Sequence, residues 1–104
     1  MTKKEYEEQL RALEADYEKK KRELDLAFAK RNNPVRIGDK VRSHSMYILV
    51  ERMVLFRPLG YHPCVNYIGT ELKKDGTPKK SGAKSHIVQT YVTEINGEPY
   101  KYEV

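Results

Sequence analysis

Arg31-Asn32-Asn33-Pro34-Val35-Arg36-Ile37-Gly38-Asp39-Lys40-Val41 is where the chain changes its rhythm. Before it, apolar residues recur every three or four positions; after it, every second position. That switch predicts an α+β chain, with a helical unit over residues 1–33 and a small β domain over residues 34–104. Asn32-Asn33-Pro34 is the stop, because Asn tolerates a left-handed cap and Pro cannot continue the helical ladder. Beyond it, Val35, Ile37 and Val41 are expected on one face, with Gly38-Asp39 as a turn or bulge between them.

Upstream, no Gly or Pro precedes Pro34, and the good helix formers Glu, Lys, Leu, Ala and Arg fill the segment. Thr2, followed three residues later by Glu5, reads as a capping box. Tyr6, Leu10, Leu13 and Tyr17 are spaced 4, 3 and 4 apart. The rhythm continues through Lys20 or Lys21 to Leu24 and then Ala27 or Phe28, a heptad-like seam with one basic break. A helix from 2 to 31 is about 45 Å long at roughly 1.5 Å per residue, whereas a domain of about 70 residues is only about 25 Å across. The helix is therefore expected to overhang, leaving the seam in need of a partner, either a second copy or another protein. The alternative is a helix folded back, with its seam as ordinary core. Leu24, Leu26 and Phe28 are expected to pack on the β domain. The run Glu18-Lys19-Lys20-Lys21-Arg22-Glu23 reads as a solvated face or a phosphate-contacting ridge.

Downstream, the sequence predicts five strands. After the first, Tyr47–Phe56 is apolar enough to be buried in part on both faces, and Pro58, Gly60 and Pro63 mark a connection. Val65, Tyr67 and Ile68 form a third strand, ended by Gly69. His86–Ile95 is rich in β formers, and Asn96-Gly97 is a strong hairpin signal that pairs it with Tyr100–Val104. Five short antiparallel strands favour a small barrel, which removes exposed edges by near closure.

Val35-Arg36-Ile37-Gly38-Asp39-Lys40-Val41 resembles the first strand of SH3-like barrels of the KOW and Tudor kind, where a Gly-Asp pair precedes a buried Val. The whole layout, together with Tyr67-Ile68-Gly69-Thr70-Glu71-Leu72-Lys73-Lys74-Asp75-Gly76-Thr77-Pro78, is similar to small uncharacterised helix-plus-barrel proteins of gut bacteria and their phages. The resemblance implies an interaction module and no enzyme activity, and it assigns no ligand-binding position.

The segment 73–84 holds five lysines, Lys73, Lys74, Lys79, Lys80 and Lys84, among Gly, Pro and Ser. It is expected to be a mobile basic loop. As a function, it could neutralise phosphates without reading sequence, with Tyr61, Tyr67 and Tyr91 offering stacking faces. As plain structure, it is a solvated hairpin tip. It contains no arginine, the usual base reader, and it lacks the Gly-x-x-x-x-Gly-Lys-Ser/Thr pattern of a nucleotide-binding loop. His44, His62, Cys64 and His86 are the soft metal ligands, and their spacing matches no zinc finger. Cys64 is expected to be a small buried residue, and no carboxylate pair sits in an apolar setting. Asp39 and Asp75 fit turn chemistry. The chain has eight tyrosines, two phenylalanines and no tryptophan, which suits interfaces and half-exposed rims equally.

The totals agree with this reading. A single cysteine allows no internal disulfide. The start lacks the apolar run of a signal peptide, and nothing is long enough to span a membrane, so a cytoplasmic protein is expected. Of the net charge of +5, nine Lys/Arg and eight Asp/Glu fall in residues 1–31, which places the basic excess on the β domain. The expected function is a non-enzymatic interaction or scaffolding module, without cofactor or metal, whose helix seam Tyr6, Leu10, Leu13 and Tyr17 docks a protein or a second copy. The alternative is a sequence-independent nucleic-acid binder using Lys73, Lys74, Lys79, Lys80 and Lys84.

Overall fold

The computed structural model describes residues 1–58, 60 and 62–103. Helix α1 spans Lys3–Arg31 and is followed by β1 (Lys40–Arg42), β2 (Tyr47–Phe56), β3 (Cys64–Glu71), β4 (Lys84–Val88), a 3₁₀ turn (Gln89–Tyr91), β5 (Glu94–Ile95) and β6 (Glu98–Pro99). The strands form one antiparallel sheet in the order β4-β3-β2-β1-β5-β6. The architecture is α+β, with a long N-terminal helix preceding the sheet.

The Thr2 hydroxyl accepts from the Glu5 N–H at 3.1 Å, so the helix starts at the expected cap. It stops where expected, by a different device. Asn32 has φ −97°, outside the left-handed region, and both its backbone N–H and its Nδ2 donate to the Phe28 carbonyl, at 3.2 and 2.9 Å. The side chain thus satisfies a carbonyl that the ended helix would leave free.

The sheet has six strands and does not close into a barrel, which corrects the five-stranded expectation. The predicted strand 86–95 breaks at Gln89–Tyr91, where the chain turns to seal the core. The Asn96-Gly97 turn then pairs Ile95 with Glu98 and Glu94 with Pro99, so Tyr100–Glu103 lie beyond the ladder. Both turn residues have positive φ, 51° and 84°, as a type I′ hairpin requires. Strands of two residues cannot carry the ladder round to β4. The end of α1 and the 3₁₀ turn cover the core instead, through Ala29 and Val92, which cluster with Val35, Val41, Ile48, Val50, Val65, Tyr67 and Ile87. Pro99, which has no N–H to offer, sits in the edge strand, where none is needed.

Two further expectations change. Ile37 is exposed at the tip of a turn in which Arg36 N–H donates to Asp39 Oδ2 at 2.9 Å, so only Val35 and Val41 turn inward. Gly69 does not end β3; it lies inside it, opposite Val50. The dense apolar run of β2 has a single cause. A bulge between Val50 and Arg52 shifts the inward phase, so Ile48 and Val50 point to the core before it and Met53 and Leu55 after it.

Candidate interaction surfaces

Residues 1–20 are all exposed, and burial of the helix begins at Lys21. The helix therefore projects and does not fold back, giving a particle of 67 × 30 × 20 Å. The free part, Lys3–Lys20, is about 27 Å long at roughly 1.5 Å per residue. Along it, Tyr6, Leu10, Leu13 and Tyr17 are 57%, 39%, 67% and 63% exposed. Leu13 and Tyr17 border a shallow depression with Glu14 and Glu18. A row of large apolar side chains in water is costly to leave bare, because each would release roughly 1.5–3 kcal/mol on burial.

The docked end matches expectation in part. Phe28 is half-buried and Leu26, though 46% exposed, edges a groove with Met53, Val54 and Leu55, whereas Leu24 is exposed; Asp25 and Ala29 join the docked face. Asp25 forms an ion pair with Arg57. Phe28 stacks on His62, with centroids 5.3 Å apart and planes 19° apart. Below them lies a polar socket. Asn33 Oδ1 accepts from Val35 N–H at 3.0 Å and from the Tyr67 hydroxyl at 2.6 Å. Gln89, fully buried, accepts from Val65 N–H at 3.1 Å and donates to the Asn32 carbonyl at 2.8 Å and the Tyr100 hydroxyl at 3.2 Å. Burial, with lesser contributions from Tyr100, Cys64 and Tyr102, pushes the Tyr67 hydroxyl well above its ordinary 10.0, so it stays a donor.

The lysine segment is a hydrogen-bonded hairpin tip, the plain-structure alternative of the sequence reading. Lys73 N–H donates to the Thr77 carbonyl at 2.8 Å, Lys79 N–H to Glu71 at 3.1 Å, and Glu71 N–H to Ala83 at 2.9 Å. Asp75 Oδ1 accepts from both the N–H and the hydroxyl of Thr77, at 2.9 and 2.6 Å, which holds its carboxyl below the usual range. Lys73, Lys74 and Lys79 line one groove with Arg42, Tyr47, Glu71 and the Ser43–Met46 turn. Arg42 lies over the Tyr47 ring at 4.1 Å and within 3.3 Å of Glu94. Across the same turn a second groove is lined by His86, Val88 and Tyr91, whose ring is 67% exposed.

Lys80 lines neither groove, and Lys84 is the first residue of β4. Its ammonium donates to Glu51 at 2.6 Å and to the Thr70 hydroxyl oxygen at 2.8 Å; the Lys84 bond, and then the one that the Thr70 hydroxyl donates to Glu51 at 2.6 Å, lower the Glu51 carboxyl. Of the proposed stacking faces, Tyr91 is available and Tyr67 is buried; Tyr61 lies outside the described residues. The basic run of α1 lines neither groove: Lys21 and Arg22 face a notch with Asp25, Val54 and Arg57.

Cys64 is buried, and burial pushes its thiol up from its ordinary 9.0, so the thiolate a nucleophile needs is disfavoured. Among the described residues no three His, Cys, Asp or Glu converge as metal ligands, and no helix is long and apolar enough to cross a membrane. The sequence reading missed the Asn33–Gln89 socket. The polarity of Gln89 inside an otherwise β-forming run was its only outward sign. The chain matches no family model, no curated protein and no solved structure with which it was compared.

Proposed function

We propose that the chain is a non-enzymatic interaction module in which the projecting half of α1 docks a protein partner along Tyr6, Leu10, Leu13 and Tyr17. The observation that carries this reading is the continuous exposure of these four side chains on a segment whose residues, Lys3–Lys20, are all exposed among the described residues. The β domain then serves as a base that holds the helix end. The order β5-β1-β2-β3-β4, with a 3₁₀ turn entering β5, is consistent with an SH3-like barrel left open on one side.

The test uses the tagged chain and its Leu10→Glu/Leu13→Glu variant in cells that carry the gene. A protein retained by the first and lost from the second, then purified and titrated, should bind the variant at least about tenfold more weakly, since each buried leucine is worth roughly 1.5–3 kcal/mol. Retention of nothing that depends on the seam, neither another chain nor a second copy, rejects the reading.

A second reading is favoured by the placement of Lys73, Lys74, Lys79 and Arg42 in one groove, with Tyr91 across the Ser43–Met46 turn. Cations beside an exposed aromatic face suit a single-stranded phosphodiester chain. Binding should weaken steeply with salt, and Lys73→Ala/Lys74→Ala/Lys79→Ala should reduce the slope of log affinity against log salt by about 2, at roughly 0.7 per phosphate contact on a single strand. Lys84→Ala, which removes a lysine committed to Glu51, should leave that slope unchanged. No binding to a labelled oligonucleotide at low salt excludes this reading.

A further inference from the structure

We infer that the occupant of the seam is a second copy of the same chain, paired parallel and in register as a two-stranded coiled coil; this rests on the docking reading above. Tyr6, Leu10, Leu13, Tyr17 and Leu24 fall on one side of α1 at coiled-coil core spacing, with Ala27 extending the row and Lys20 the charged position between Tyr6 and Ala27. The exposure persists past the free half. Leu24 is 70% exposed although it lies beside the docked face, so the seam is open along nearly the whole helix.

At roughly 100° per residue, the seam and the docking face (Lys21, Asp25, Phe28, Ala29) are about 75° apart. A two-fold axis along the seam then sets the two β domains on opposite sides of the helix pair, clear of each other.

Charge decides the direction. In the parallel pair the flanking position of Asp16 meets Lys21 of the second copy, five residues on, and the pairing occurs twice by symmetry. The antiparallel arrangement that overlaps the free halves, Leu10 against Leu13 and Tyr6 against Tyr17, sets Glu7 against Glu14 of the second copy; Lys3 and Lys20 face lysines in either arrangement, so the flanking charges decide. The facing Lys20 pair of the parallel register is moderated within each chain, because Asp16 lies 3.1 Å from Lys20. Slipping the register by a heptad would set one Lys20 against Leu13 and the other against Ala27, so the charged layer also favours the in-register alignment.

Light scattering during size exclusion should give twice the 12.2 kDa chain mass at about 100 µM, and Leu13→Glu should return it to a monomer. Under mild oxidation, Leu13→Cys alone and Leu10→Cys alone should each form a covalent dimer, with the parent chain, whose Cys64 is buried, staying single. Asp16→Lys should raise the dissociation constant about fivefold, and Lys21→Glu added to it should recover part of that loss, the remainder reflecting the Asp16–Lys20 pair that the first change also removes. These substitutions, Lys21 apart, lie on the exposed half of the helix, so the fold survives them. A monomer at every concentration overturns the inference, and so does crosslinking only when Leu10→Cys and Leu13→Cys chains are mixed. A monomer that still captures a different protein through the seam overturns the second copy while leaving the docking reading in place.

Discussion

Gly69→Ala should unfold the chain or lower its stability by about 3–5 kcal/mol, the largest effect expected of any single methyl group in this protein. A Cβ at residue 69 would overlap the Leu49 carbonyl oxygen, with the carbonyl carbon at 2.7 Å and the Glu51 nitrogen at 3.2 Å. Every obstacle is backbone, so no side chain can swing aside. Relief requires β2 and β3 to part beside the bulge, at the longest ladder in the sheet. Overpacking typically costs about 1–3 kcal/mol, and each ladder hydrogen bond lost adds roughly 1 kcal/mol. Since a domain of this size has only about 5–15 kcal/mol of stability, much of it would go. Urea unfolding followed by circular dichroism measures this, and a midpoint within error of the parent would reject the account. Gly82→Ala is a control, because there a Cβ meets nothing within 4 Å and the only strain comes from its φ of 65°.

Gln89→Leu should cost about 3 kcal/mol, although it exchanges a polar side chain for an apolar one of similar size in a buried position. The substitution leaves Val65 N–H, the Asn32 carbonyl and the Tyr100 hydroxyl without their shared partner. A buried group so orphaned costs roughly 1–3 kcal/mol, with the lower end expected where water reaches it, as at the part-buried Asn32 and Tyr100 bonds. Gln89→Glu keeps the acceptor for Val65; ionised it loses both donors, and protonated it offers one O–H. Buried in this way its carboxyl would be pushed up, so the variant should be least unstable in acid and lose stability as pH rises through the raised value. Thermal melts at acidic and neutral pH separate the two variants. A Gln89→Leu melt matching the parent would show that the socket contributes nothing.

Much of this fold was legible in the sequence, for local reasons. The helix, its Thr2 cap and its end at Asn32 follow from propensity and from Pro34. The Asn96-Gly97 hairpin follows from the positive φ that Asn and Gly accept. What was not legible depends on neighbours distant in sequence. Gly69 reads as a strand breaker until Leu49 is placed across from it. The run 86–95 reads as one strand until Gln89 finds Val65 and Asn32. Leu24 looks like a docking residue by hydropathy, yet the helix is rotated so that Asp25 and Ala29 join Phe28 on the docked face and Leu24 stays exposed. The five lysines look equivalent along the chain, and only the hairpin geometry sets Lys84 apart from Lys73, Lys74 and Lys79. The seam itself could be read from spacing, whereas its exposure required knowing where the sheet lay.

The polar joint of Asn32, Asn33 and Gln89, with the Asp25–Arg57 and Phe28–His62 contacts beside it, is the clamp of a lever. The arm beyond the clamp, Lys3–Lys20, is about 27 Å long, so a change of about 10° in its direction would carry the tip near Lys3 through about 5 Å, at roughly 1.5 Å of rise per residue. A small change at the clamp is thereby magnified into a displacement the size of a side chain. The reach and aim of the arm are set by residues that lie outside its exposed row.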